Sequence, residues 1–216
     1  MKVKDLREMS DTVVYMVGHE FINETATVKS GGYFDHFVNI PKYWSAIQAA
    51  LPRMFRRIID ICKKNYDYKI TYAATPPEAY YNLIPWEDPA FESIGLDAYL
   101  DNRWGMDENW MFNLISRLKV YRKPILDPDF GMMSYAGADK WESMSPAYIY
   151  NNFYDEGPQV RYGERMLKFL NRAKIDGCFW VQYNDNLDRG HGLYHPTSRK
   201  RKKGYYMYKS YQRVGS

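Results

Sequence analysis

Cysteine is nearly absent: only Cys62 and Cys178 occur in 216 residues, each in an apolar segment. That excludes a disulfide framework and a cysteine-built metal knuckle, and it reads as two buried thiols. No apolar run reaches the ~18 residues that a membrane-spanning helix needs. The first residues, MKVKDLREMSDT, carry no apolar stretch of a secretion signal, so a cytoplasmic, membrane-free protein is expected. A phosphate-cradling loop is missing too. SGGYFD, at 30–35, lacks both the strand-to-helix context and the Lys-Ser/Thr ending. Positive charge is concentrated in one place. The net charge is +4, and RKRKK at Arg199 to Lys203 holds five positive charges, so the remainder is about neutral. There is no global basic field, and nucleic acid is not an expected partner. The cluster itself reads as a solvated loop. His19, His191 and His195 fit no metal-ligand spacing, so neither a metal nor another cofactor is expected.

What is present is apolar and aromatic. Hydrophobic residues make up 45% and aromatics 17%, with 21 Tyr and 6 Trp, enough for one substantial core. Aromatic surfaces suit flat ligands such as sugars or bases, and a Tyr-rich core would have the same composition. We divide the chain into a short N-terminal segment, 1–11, and one domain, 12–216.

The periodicity predicts strands at TVVYMVGHEF (Thr12 to Phe21), YKITYAA before Pro76 and Pro77, Ile94 to Tyr99, Lys123 to Asp129, and DGCFWVQYND. Helices alternate with them. Trp44, Ile47, Leu51, Phe55, Ile58, Ile59 and Cys62 share one helical face, which Pro52 should kink or divide. DENWMFNLISRLKVYR has acids in its first turn and bases in its last, as the helix dipole favours. PQVRYGERMLKFLNRAKI and GYYMYKSYQRV supply two more helices, and a long loop fills 131–155. This alternation implies βαβ units and a parallel sheet, whose C-terminal strand edge is where such folds bind ligands. Residues of interest gather at that edge: Glu20, Asp97 and Tyr99, Asp127 and Asp129, and Trp180 to Asp185. Asp127 and Asp129, two apart on a strand, share a face. Either they cap a turn or they face a site.

These strand ends resemble the second part of a glycoside-hydrolase-type TIM barrel of the retaining clan. In that clan the fourth strand ends in Asn-Glu, the Glu being the acid/base. VGHE matches, with His19 for Asn and Glu20 for the acid. The seventh strand typically reads Lys-Pro, two apolar residues, any residue, then Thr-Glu-Phe-Gly with a nucleophilic Glu. KPILDPDFG matches at Lys123, Pro124, Phe130 and Gly131, with Asp129 in the nucleophile position. GCFWVQYND looks like the eighth strand. More narrowly, IGLDAYLD, KPILDPDFGMMSYAGADKW and GPQVRYGERMLKFLNRAKIDGCFWVQYND look similar to hydrolase-like barrel proteins labelled abortive phage infection proteins.

The resemblance implies an α/β fold, a partial (β/α)8 barrel of about the last five βα units. It implies two catalytic carboxyl groups, Glu20 and Asp129, and a substrate-binding set of His19, Asp97, Tyr99, Asp127, Tyr135, Trp180 and Asn184. The expected ligand is a carbohydrate. Three strands short of a ring, the sheet would be completed by self-association or by a partner chain. Asp is one methylene shorter than Glu, so Asp129 would sit back from a sugar by roughly one C–C bond. A 1 Å error can cost about a hundredfold in rate. A barrel-derived binding or phage-defence-associated protein without turnover is therefore the alternative reading.

Overall fold

Strand β2, Lys69–Ala74, has its last five residues buried, as a parallel strand covered on both faces should be. A computed structural model describes residues 14–19, 44–65, 69–100, 106–141, 154–181, 190–195 and 198–212. Its elements run β1 (Val14–His19), α1 (Trp44–Asn65), β2, α2 (Pro76–Tyr80), β3 (Ile94–Leu96), α3 (Glu108–Leu118), β4 (Ile125–Phe130), α4 (Ala138–Trp141), α5 (Gly157–Ala173), β5 (Gly177–Trp180) and α6 (Lys203–Gln212). The five strands form one parallel sheet in chain order, β1-β2-β3-β4-β5.

Two compact units divide the chain: 1–97 with 117–126, and 98–116 with 127–216. In the first, β1 pairs with β2 from Val14↔Lys69 to His19↔Ala73. Between Met16 and His19, β1 takes three steps where β2 takes two, from Thr71 to Ala73. Such a bulge re-aims the side chains beyond it, here His19. Tyr72 turns its ring towards Phe55 of α1, with centroids 5.3 Å apart and nearly perpendicular. Trp86 and Phe91 extend the cluster at 5.2 Å. Leu51, Phe55 and Ile59, spaced by four, form the buried stripe of α1. Each such side chain contributes about 1.5–3 kcal/mol by leaving water. Pro52 does not divide α1, which continues unbroken across it. It removes one N–H, while buried Leu51 and Phe55 anchor the helix on either side. Gly95 is required by close packing, because a Cβ there would meet the backbone of Tyr72. Thr75 caps α2 in a capping box with Glu78, which explains why Pro76 and Pro77 open a helix rather than only ending a strand.

In the second unit, α5 buries Tyr162, Met166, Phe169 and Leu170. Phe130, Trp180 and Tyr208 pack together, with Phe130 and Trp180 centroids 5.2 Å apart. Val181 N–H donates to Phe130 O at 2.9 Å, which sets the end of β5 beside the end of β4. The expected loop at 131–155 contains α4 and a backbone bridge between Tyr135 and Tyr154. The basic cluster departs from expectation at one position. Arg199, Lys200, Arg201 and Lys203 are exposed, but Lys202 is fully buried. Arg201 bridges to Tyr194, and backbone alternation then turns Lys202 inward. Its Nζ donates to Ser134 Oγ at 2.6 Å and to Gly190 O at 3.1 Å. Cys62 and Cys178 are free and half-buried rather than fully buried. No helix among the described residues is long and apolar enough to cross a membrane.

Candidate active site

Strand β4 separates its side chains by alternation. Phe130 turns to Trp180 and Tyr208, so Asp127 and Asp129 occupy the opposite face. The two acids then differ. Asp127 is fully buried, and its Oδ1 accepts the Ala98 N–H at 3.2 Å. Asp129 is half-exposed, and its Oδ1 accepts the Tyr99 hydroxyl at 2.6 Å. Asp127 is thus a structural acceptor that fixes the chain after β3. Asp129 is the carboxylate within reach of solvent.

Tyr99 is held in that role. Leu100, next to it, donates its N–H to Tyr162 Oη at 3.2 Å. Burial pushes the Tyr99 phenol well above its ordinary range, and the Asp129 charge adds to this. The phenol therefore stays protonated and remains a donor to Asp129. Cys178 shows the same field: burial, then the Asp127 charge, pushes its thiol up to about 12.

In the other unit, His19 Nε2 lies 3.3 Å from Asp97. The His19 side chain is 44% exposed and Asp97 is fully buried. The β1 bulge delivers the imidazole to that carboxylate.

Two residues expected to bind substrate are buried. Trp180 is a core residue, 9% exposed, with its Nε1–H donated to His191 O at 2.8 Å. Tyr135 is 5% exposed and belongs to the bridge with Tyr154. Neither presents the open ring that a sugar platform needs. Glu20 and Asn184 lie outside the described residues. Two residues carry more than the sequence suggested. Tyr99, expected there only in the substrate-binding set, is a direct partner of Asp129. Gln159, not singled out at all, donates its Nε2 to the carbonyls of Met132, His191 and Gly192. No local pattern marks a residue whose three acceptors come from two distant segments. Among the described residues, no group of three or more His, Cys, Asp or Glu could hold a metal ion.

Neither a family model nor a curated protein matches the chain in sequence. Solved structures do match in fold. One is a GH113 β-1,4-mannanase: 17% identity, TM-score 0.55, covering 73% of this chain and 50% of that one. The fold is that of a partial (β/α)8 barrel. A second match is the GH113 β-mannanase AaManA from Alicyclobacillus acidocaldarius: 16% identity, TM-score 0.55, covering 77% of this chain and 53% of that one. A third is Bacteroides uniformis β-glucuronidase 2: 15% identity, TM-score 0.53, covering 76% and 21%. The partial barrel therefore spans about half the length of the mannanases it matches, and its likeness to these glycoside hydrolases is one of fold.

Proposed function

We propose that the chain forms part of a carbohydrate-active hydrolase site with two carboxyl groups, Glu20 as acid/base and Asp129 as nucleophile or water activator. The observation that supports it most is the division of labour on β4. Asp127 is consumed by a backbone N–H, while half-exposed Asp129 is oriented by the Tyr99 hydroxyl at 2.6 Å. A carboxylate oriented by a hydrogen-bond donor is the arrangement that nucleophilic or base catalysis needs. Asp is one methylene shorter than Glu, so its carboxylate is set back from a bound sugar. Retaining enzymes hold the two groups ~5–5.5 Å apart and inverting ones ~6.5–9.5 Å, so the shorter side chain favours water activation over direct attack. A carbohydrate is the ligand.

The second reading is a binding or phage-defence-associated protein that keeps the cleft without turnover. The same shortened carboxylate favours it. Leaving-group dependence tests the first reading. Glu20→Gln keeps the shape and removes the proton donor, so hydrolysis of an activated aryl glycoside should survive better than that of a natural glycoside. Equal rates of parent and variant on both substrates would remove Glu20 from the mechanism.

A further inference from the structure

The outer face of α5 carries Arg161, Arg165, Lys168 and Arg172, spaced 4, 3 and 4. That spacing keeps them on one line of the helix, about 16 Å long. A solvated helix face usually alternates its charges. Here three successive neighbouring pairs along the line are like-charged, which is unfavourable on an isolated helix. The line is not left bare. Together with Glu108 and Glu164 it borders a groove of about 320 Å³, at the lower end of the range for small-molecule sites.

Part of this groove already holds an oxyanion. Glu108, in the first turn of α3, places its carboxylate between two guanidinium groups. Arg165 Nε donates to Oε1 at 3.1 Å, and Arg172 donates to Oε2. Burial pushes the Glu108 carboxyl up, but the two arginines outweigh it and hold the group below the usual carboxylate range. The geometry of the forks therefore suits planar or tetrahedral oxygen acceptors. At the rim, Asp139 engages Arg161 Nε at 2.7 Å. With Asp139 counted, the groove and its rim sum to +1, and Lys168 stands exposed between Arg165 and Arg172 in the line.

We propose that this groove is a binding site for a phosphate-type oxyanion, a phosphate ester or free phosphate, held by Lys168 with Arg165 and Arg172. A phosphate monoester carries about −1.5 to −2 charges at neutral pH, opposite in sign to the groove. It also offers three oxygens to donors of differing direction. The site is independent of the carboxylates on β4 and of any glycosidase activity.

The test titrates inorganic phosphate, and separately glycerol phosphate, into the whole chain by calorimetry at low and constant ionic strength. Saturable binding of both is expected. Lys168→Gln, an exposed change that leaves the Glu108 pairs intact, should weaken it about tenfold, the loss of one charge-assisted contact. Glu108→Ala removes the internal occupant and should tighten it. Lys200→Gln, in the other basic cluster, should leave it unchanged. Binding of phosphate alone would assign the site to the free ion, and binding of both to the esterified group; each supports the oxyanion site. Absence of saturable heat, or binding insensitive to Lys168→Gln or abolished by Lys200→Gln, would overturn the proposal.

Discussion

The Tyr99 hydroxyl donates to Asp129 Oδ1 at 2.6 Å, across thirty residues of sequence. A hydrogen bond to a charged group is worth about 1.5–3 kcal/mol, enough to fix a carboxylate rotamer. Tyr99→Phe keeps the ring and removes the donor. Turnover of an aryl glycoside should fall roughly tenfold to a hundredfold in kcat/KM, by an argument of orientation. An unchanged kcat/KM would show that Asp129 needs no help from Tyr99.

The buried neighbour should behave differently. Asp127→Ala leaves the Ala98 N–H without its acceptor and should cost about 1–3 kcal/mol, read as a lowered Tm. Asp127→Asn keeps an oxygen in place and should recover much of that loss. Equal melting of Asp127→Ala and the parent would contradict the structural role.

Alkaline titration follows from Tyr99 and Cys178. Both groups are raised in the folded chain, by burial first and by the β4 carboxylates second. A raised value means the folded state holds its proton longer than the unfolded one. The associated stability is full below the ordinary thiol value of 9.0 and is lost as pH rises from there towards about 12. For the phenol the loss begins above its ordinary ~10. Denaturant melts across this window should show falling stability, with a shallower slope in Cys178→Ala. Alkylation at pH 8 should label Cys178 in the folded chain at least about tenfold more slowly than a free thiol.

Much of the sheet was legible because apolar strands alternate with amphipathic helices, and both periods survive in β2, β4 and α5. Pro52 was over-read. A proline signals a missing hydrogen bond, but tertiary anchoring of Leu51 and Phe55 is invisible along the chain. The burial of Trp180 was not legible because an aromatic at a strand end has the same sequence signature in a core as at a sugar platform. The pairing of Asp127 with Asp129 on one face followed from the strand period. Their different fates did not, because Ala98 N–H and Tyr99 reach them from another strand's end. Lys202 was hidden in a charge run, where only the backbone bridge at Arg201 decides which side chain turns inward.

That buried lysine gives its own contrast. Lys202→Ala removes a cation bonded to Ser134 Oγ and Gly190 O and leaves a void, and should destabilise the chain by about 2–4 kcal/mol. Lys200→Ala, exposed two residues away, should stay within about ±0.5 kcal/mol. Chemical denaturation of the two variants side by side decides between a structural clamp and a merely basic loop.

The most direct measurement compares the parent, Asp129→Ala and Asp129→Glu on a panel of activated aryl glycosides. If Asp129 is the reacting carboxylate, weak parental turnover should vanish in Asp129→Ala. It should rise in Asp129→Glu, where the added methylene restores reach, while far-UV circular dichroism shows all three proteins folded. Undiminished turnover in Asp129→Ala, or an inert Asp129→Glu protein across the whole panel, would contradict the account.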